Sequence, residues 1–301
     1  MLFAYCRRAA SETLYTMLKM VMPINSEFVK EVGTFRWLRR TFVRQFSKRI
    51  LRKDNTIVLP TGLRMLLPRT SKFASEVFIT GSNVDWGSEE VFANHLDASG
   101  VVLDVGANIG YYSLYMLPRA AAVHAFEPDP RALAVLRSNL AGHSNAHVHS
   151  LAVGKSTEKS FFVLEQNSEV SHLADLSTQS SGELCEIDVT TIDLFVAERD
   201  LPITGIKIDV EGADLDVIEG AVRTLGSQFP LVLTETKPDE RLFGLIRPLG
   251  YKVFAFVKHP NTAQFRFHEI DREGNFQTKM LFLVPVRLQS TFESLIQDKA
   301  I

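Results

Sequence analysis

The chain has 301 residues, 46% of them hydrophobic and 23% charged, which suits a soluble globular domain with an extension and argues against disorder. The net charge of −2 is uneven: residues 1–53 carry twelve Lys/Arg against three Asp/Glu, a net +9, and the remainder carries −11. Cys6 and Cys185, far apart and without CxxC spacing, argue against a disulfide framework or a structural zinc site, and no apolar run is long enough to span a membrane.

Taken in order, residues 1–55 read as a basic, mainly helical N-terminal extension. Leu14, Met17, Leu18 and Val21 repeat at helical spacing until Pro23. A second segment, Ser26 to Arg52, places Phe28, Val32, Phe35, Leu38, Phe42 and Phe46 among arginines. It is either a helical extension packed on the main domain or a basic amphipathic surface for anionic lipid or a phosphorylated carrier. A mitochondrial transit peptide is a third reading, which Glu12, Glu27 and Glu31 weaken. No secretory signal is apparent, so the expected location is cytoplasmic, with peripheral membrane contact through residues 1–53 as the variant.

The main domain is expected over 56–288, with 289–301 as a C-terminal tail. Residues 56–67 read as a hairpin around Pro60-Thr61-Gly62, and 89–96 as a short helix broken at Ser99-Gly100. The run Val101-Val102-Leu103-Asp104-Val105-Gly106-Ala107-Asn108-Ile109-Gly110 follows: a buried strand, a small-residue turn, then a helical pattern. Strand, glycine turn and helix make the first half of a nucleotide-binding crossover. The next strand, Ala122–Phe126, ends at Glu127, 21 residues beyond Gly106, where a carboxylate can accept both ribose hydroxyls. A helix from Pro130 and a third strand, Ala146 to Val153, complete this half. Residues 155–189 read as a β-hairpin with a long polar loop that contains His172. His124, His147 and His149 sit in strand contexts and read as structural.

Four further strands follow: Gly205–Val210, Pro230–Glu235, Tyr251–Val257 and Met280–Val284. Strands alternating with helices predict an α/β fold with a seven-stranded, mostly parallel sheet, and the lack of a helix between the last two strands makes the last one antiparallel. The spacing of Gly106 and Gly110 is looser than GxGxxG, which disfavours a pyrophosphate and favours S-adenosylmethionine. On that reading Asp104 holds its ammonium group and Asn108 its carboxylate. Asp209 and Glu211 end the fourth strand at the same crevice, to position the methyl donor, take a substrate proton or bind a metal, or else as helix caps. Glu235 ends the fifth. Asp209 is the first choice for a catalytic base and Glu235 the second; no metal-ligand set is assigned.

Together, Asp104-Val-Gly-Ala-Asn-Ile-Gly110, Phe126-Glu-Pro128, Leu151-Ala-Val-Gly154, Thr191-Ile-Asp193 and Lys207-Ile-Asp-Val-Glu-Gly212 resemble the FkbM family of S-adenosylmethionine-dependent methyltransferases. The resemblance spans about residues 85–257. It implies a class I methyltransferase (Rossmann-like) fold and O-methylation of a sugar, glycan, glycolipid or secondary metabolite. It also implies Asp104, Gly106, Asn108 and Gly110 at the methionine part, Glu127 at the ribose and Ala152 near the adenine, with Glu211 grouped among the cofactor contacts. The expected partner is a small-molecule or glycan acceptor, with no nucleic acid. The alternatives are an NAD-dependent oxidoreductase on a similar sheet and a non-catalytic cofactor-binding module.

Overall fold

The computed structural model describes residues 29, 31–164, 172–173, 183–259 and 265–298. The helix expected around Leu14–Val21 and most of the polar loop within 155–189 lie outside the described residues. The chain divides into two compact units, one of residues up to Asn55 with Leu67–Ser82, the other of Thr56–Leu66 with Asn83 onward. The first unit therefore takes in a segment, 67–82, that the sequence places in the main domain.

In the first unit, helix α1 (Thr34–Phe46) continues through a wider turn over Ser47–Leu51 and stops at Arg52, whose φ of 53° no helix can continue. Strand β1 (Asn55–Val58) and strand β2 (Arg64–Leu67) pair as the expected hairpin, mostly within the second unit. Helix α2 (Phe73–Thr80) returns to the first unit and ends at Gly81 in the left-handed conformation. Arg44 of α1 is fully buried beneath α2. Its guanidinium donates to Ser75 Oγ, to Asn55 Oδ1 at 2.8 Å, and to the carbonyls of Leu67 and Pro68. Five donors in a fixed fork suit such a set of oxygens.

The second unit is built on one eight-stranded sheet in the order β13 (Phe265–Ile270), β12 (Lys252–Lys258), β14 (Leu281–Val284), β11 (Leu231–Thr234), β10 (Ile203–Ile208), β3 (Val101–Val105), β4 (Ala122–Phe126) and β5 (Ala146–His149). Helix α3 (Ser88–Asn94) leads into strand β3 (Val101–Val105), all of whose residues are buried. A strand buried on both faces reads as a continuous apolar run, which is why Val-Val-Leu-Asp-Val forms one. Helix α4 (Tyr111–Met116), strand β4 (Ala122–Phe126), helix α5 (Pro130–Leu140) and strand β5 (Ala146–His149) complete the first half. Asp129 caps α5 by accepting from the amide of Arg131 at 2.8 Å, with Pro130 at the first helical position.

The third strand is shorter than expected. After His149 the chain breaks, and strand β6 (Ala152–Val153) joins a separate four-stranded sheet, β6-β9-β7-β8. There strand β7 (Glu158–Leu164) and strand β9 (Glu183–Thr190) pair antiparallel, with the two-residue strand β8 (His172–Leu173) beside β7. Helix α6 (Ile192–Ala197) begins where Thr191 Oγ1 accepts from the Leu194 amide. Strand β10 (Ile203–Ile208), helix α7 (Asp214–Glu219), helix α8 (Val222–Gln228), strand β11 (Leu231–Thr234), helix α9 (Glu240–Ile246) and strand β12 (Lys252–Lys258) then alternate.

The segment between the last two expected strands contains an eighth, β13 (Phe265–Ile270), which forms a hairpin with β12. Its Phe-Arg-Phe-His-Glu-Ile sequence keeps only Phe267 and Ile270 buried, a weak alternation. Strand β14 (Leu281–Val284) inserts between β11 and β12, antiparallel to both. Without β13, the order 3-2-1-4-5-7-6 with an inverted seventh strand is that of a class I methyltransferase sheet. The expected tail is instead largely helix α10 (Val286–Asp298), because Phe292 is buried among Phe254, Phe267 and Phe282.

Alternation along the strands positions the site. Leu103, Val105, Ile206 and Ile208 enter a core with Phe195, Val217, Ile218, Leu242 and Phe243 of helices α6, α7 and α9. Burial of each such side chain contributes about 1.5–3 kcal/mol. Asp104 and Lys207, the intervening residues, therefore share the opposite face, and they are direct register partners across β3 and β10.

Candidate active site

The order of strands reverses between β3 and β10, so the crevice at their C-terminal ends is where an α/β sheet takes its ligand. Gly106 has φ 74°, and a Cβ there would lie 1.8 Å from the Asp209 carbonyl oxygen. Only glycine lets the two strand ends come this close. Gly110, at φ 90°, turns the chain into α4, and Asn108 itself sits at φ 49°.

Asp104 is fully buried; Ser113 Oγ of α4 donates to its Oδ2 at 2.5 Å, and Lys207 Nζ lies 3.6 Å from its Oδ1. Burial pushes the Asp104 carboxyl pKa up, against the pull of Lys207 and Ser113. Lys207 donates to the Gly106 carbonyl at 2.8 Å and lies 3.4 Å from Asp209 Oδ2. Burial would lower its pKa, but Asp209 and Asp104 outweigh burial and hold the ammonium above its usual range. Glu127 accepts from the amides of Asn108 and Asp129, each at 2.8 Å, and burial still pushes its pKa up to about 7.

Among the described residues, two buried oxygens on this wall lack a hydrogen-bond donor: Asn108 Oδ1, and Asp104 Oδ1, which has only the 3.6 Å ion-pair contact with Lys207. Buried acceptors normally have one, and leaving one unmatched costs about 1–3 kcal/mol. A ligand with a donor-rich cationic end matches them, and the free lone pairs of Glu127 match a pair of hydroxyls. The residues therefore fit S-adenosylmethionine. Carboxylates outnumber cations here: Asp85, Glu89, Asp104, Glu127 and Asp209 face Lys207 and Lys279. Such a field attracts a sulfonium and repels a pyrophosphate. Asn108 carries both an acceptor oxygen and an NH₂ donor, so its side chain can meet either end of the cofactor's amino-acid part.

The opposite side of the crevice is acidic. Asp209 follows β10, its amide donating to the Val105 carbonyl, and a third of its side chain is exposed. Glu235 follows β11 and shares a side-chain hydrogen bond with Asp209. Glu235 reaches solvent, yet partial burial of its carboxyl, with Asp209, Asp85 and Glu211 nearby, pushes its pKa up to about 9. Glu211 is exposed, with φ 36°, and its charge adds to the rise. Neither Asp209 nor Glu211 caps the next helix: α7 begins at Asp214 after Ala213, with no side-chain cap.

Asp85 and its neighbours escaped the sequence reading. Tyr112 Oη donates to Asp85 Oδ2 at 2.7 Å. Burial and the charge of Glu89 push the Asp85 pKa up to about 7, and Asp209 adds to the rise. Glu89 fixes this turn, since its Oε1 accepts from the amides of Val84 and Asp85 and from Tyr111 Oη. Trp86, at φ 60°, stacks on Phe265 with ring centroids 4.3 Å apart, and the ammonium groups of Lys258 and Lys279 lie within 6 Å of its ring. A bulky side chain at positive φ is strained, and such strain concentrates at functional sites.

The remaining sequence candidates lie on β4, β5, β6 and β8. Ala152 is buried in β6, opposite Val189 of the small sheet. His124 and His149 share a hydrogen bond at 3.0 Å and stack beside Phe195. Burial lowers both pKa values to about 4, as befits neutral packing residues. The backbone of His172 pairs with Val163 in β8.

Comparison with known proteins decides the family. The methyltransferase FkbM domain matches residues 104–272, more than half of the chain. The chain belongs to the FkbM methyltransferase family. Methyltransferases of this family use S-adenosylmethionine. The 31-O-demethyl-FK506 methyltransferase FkbM of Streptomyces tacrolimicus is 28% identical over 206 residues, 56% of this chain and 79% of that protein. Methyltransferase sdnD of Sordaria araneosa is 28% identical over 44% of this chain, and methyltransferase 1 of Beauveria bassiana 25% over 40%. The chain spans 66% and 57% of those two fungal proteins' own lengths. Among solved structures, the FkbM methyltransferase of Methylobacillus flagellatus KT aligns at 18% identity and a TM-score of 0.39, over 69% of this chain and 52% of that one.

Proposed function

We propose that this FkbM-family chain transfers a methyl group from S-adenosylmethionine to a hydroxyl oxygen of a small-molecule or glycan acceptor. One observation carries the oxygen assignment: the neighbouring Asp209 and Glu235 carboxyls, which follow the adjacent strands β10 and β11 beside the methionine-side turn. A sugar or alcohol hydroxyl is a weak nucleophile, so a carboxylate that takes its proton accelerates attack by about 10²–10⁴-fold. The name of the Streptomyces relative, which specifies a 31-O position, supports the same reading.

Bound in the crevice, S-adenosylmethionine supplies a methyl group on a positively charged sulfur, an electrophile that oxygen can displace in line. Asp104 and Asn108 hold its amino-acid end, and Glu127 holds the ribose hydroxyls. Ala152 lies toward the adenine, and Glu211 adds negative charge at the rim. Asp209 accepts the acceptor's proton as the oxygen–methyl bond forms, and the proton rests in the Asp209–Glu235 pair. Lys207 Nζ, 3.4 Å from Asp209 Oδ2, sets a positive charge beside that carboxyl. The turn carrying Asp85 and Trp86 forms the acceptor side. Most of the remaining task is alignment and exclusion of water.

The test is turnover with a methyl-labelled donor over a panel of glycans, polyols and polyketides. The reading expects S-adenosylhomocysteine in step with a labelled methyl ether. Methyl transfer to nitrogen acceptors alone would overturn the oxygen assignment, and cofactor binding without transfer to any acceptor would favour a binding module.

A further inference from the structure

Helix α1 is turned inside out relative to an ordinary surface helix. Such a helix faces its apolar stripe inward and its charges outward. Here the inward side carries Trp37 with Thr41 and Arg44, and Arg44 is satisfied by oxygens of the same unit. Arg40 likewise donates to the Ile79 carbonyl at 3.0 Å. The outward side carries Phe35, Leu38, Phe42, Val43 and Phe46, continued by Ile50 and Leu51. Phe35 is 80% exposed and Phe42 61%, and Phe42 stacks on Phe46 at 6.1 Å between ring centroids. Scattered exposed apolar residues need no explanation, but seven along one side of one continuous helix do.

The charge around this stripe selects its occupant. Between Thr34 and Lys53 the chain has eight Lys/Arg and no Asp or Glu. Arg36, Arg39, Arg49 and Arg52 are exposed with the aromatic residues. A second copy would bring like charge against like charge. Residues 1–28 hold three Lys/Arg against two Asp/Glu, so they offer no compensating charge either. An anionic bilayer matches both features: aromatic and aliphatic side chains enter the boundary of the acyl region while arginines meet phosphates. We propose that the outward face of Thr34–Leu51 docks this protein on an anionic lipid surface.

The test uses the full chain and vesicle flotation. Vesicles of phosphatidylcholine with about a third phosphatidylglycerol should carry the protein, and pure phosphatidylcholine vesicles should carry at least ten-fold less. Raising salt to 0.5 M should weaken the binding, as screening requires. Replacing both Phe42 and Phe46 by Ser should cut partitioning at least ten-fold, and each of Arg36→Gln and Arg39→Gln about five-fold. These side chains are exposed, so thermal unfolding followed by circular dichroism should be unchanged. Equal binding to both vesicle types, or none to either, overturns the proposal. So does a dimer in sedimentation equilibrium that the Phe42/Phe46 variant dissociates, because a second copy would then own the face. A large loss of thermal stability in that variant also overturns it, since the stripe would then be covered by the chain itself.

Discussion

Arg44 and Lys207 are both buried cations, and their surroundings differ in kind. Among the described residues Arg44 has no carboxylate within salt-bridge distance; its guanidinium donates to a hydroxyl, an amide oxygen and two backbone carbonyls. Burial lowers its pKa to about 10, which still leaves it charged at neutral pH. Lys207 sits between Asp104 and Asp209, and the network it belongs to is unfinished, with Asp104 Oδ1 and Asn108 Oδ1 lacking hydrogen-bond donors among the described residues. A closed polar network ties segments of chain together. An open one, at the carboxyl ends of β3 and β10, keeps positions for a ligand.

The comparison breaks most visibly on two substitutions. Asp209→Asn is expected to lower kcat by about 10²–10⁴-fold while S-adenosylhomocysteine affinity and thermal stability stay close to wild type. Equal loss of turnover and affinity would make Asp209 part of the cofactor seat. Arg44→Ala should do the reverse, costing about 1–3 kcal/mol of stability in denaturant unfolding for each neutral acceptor left buried and unpaired. An Arg44→Ala protein as stable as wild type would show that the closed network contributes little.

Smaller effects sharpen the cofactor side. Glu127→Ala should weaken S-adenosylhomocysteine binding by about 1–3 kcal/mol in calorimetry, and unchanged affinity would remove the ribose assignment. The raised pKa of Glu127 gives the sign of a pH effect. The free protein takes up a proton below about pH 7, and ribose hydroxyls favour the ionised carboxylate. Affinity should therefore fall as pH drops through 7, by up to about ten-fold per unit, and Glu127→Gln should flatten that profile. The smallest change is expected from Asp85→Asn, which removes one of the charges that raise the Glu235 pKa. The alkaline limb of the rate profile should move to lower pH, and an unmoved limb would detach Asp85 from the carboxyl pair.

The backbone of the candidate cofactor side was legible in the sequence because local rules write it. A continuous apolar strand, two glycines that must take positive φ and an acid at the end of the next strand need no long-range information. Asp209 and Glu235 were legible as strand ends, although their hydrogen bond was not. Asp85 was invisible because its turn has no periodicity and its meaning comes from Tyr112 and Asp209, remote in sequence. The extra strand β13 was missed because only two of its side chains enter the core. The pattern of α1 was seen, but not which side faces out, since Arg44 decides that through oxygens from residues 55 to 75.

The central claim is that the unfinished network around Asp104, Asn108 and Glu127 is a methyl-donor seat. Calorimetric titration of the full chain with S-adenosylhomocysteine and, separately, with NAD tests it most directly. The account predicts saturable one-to-one binding of S-adenosylhomocysteine, weakened by Glu127→Ala, and no heat with NAD. Binding of NAD alone would contradict it.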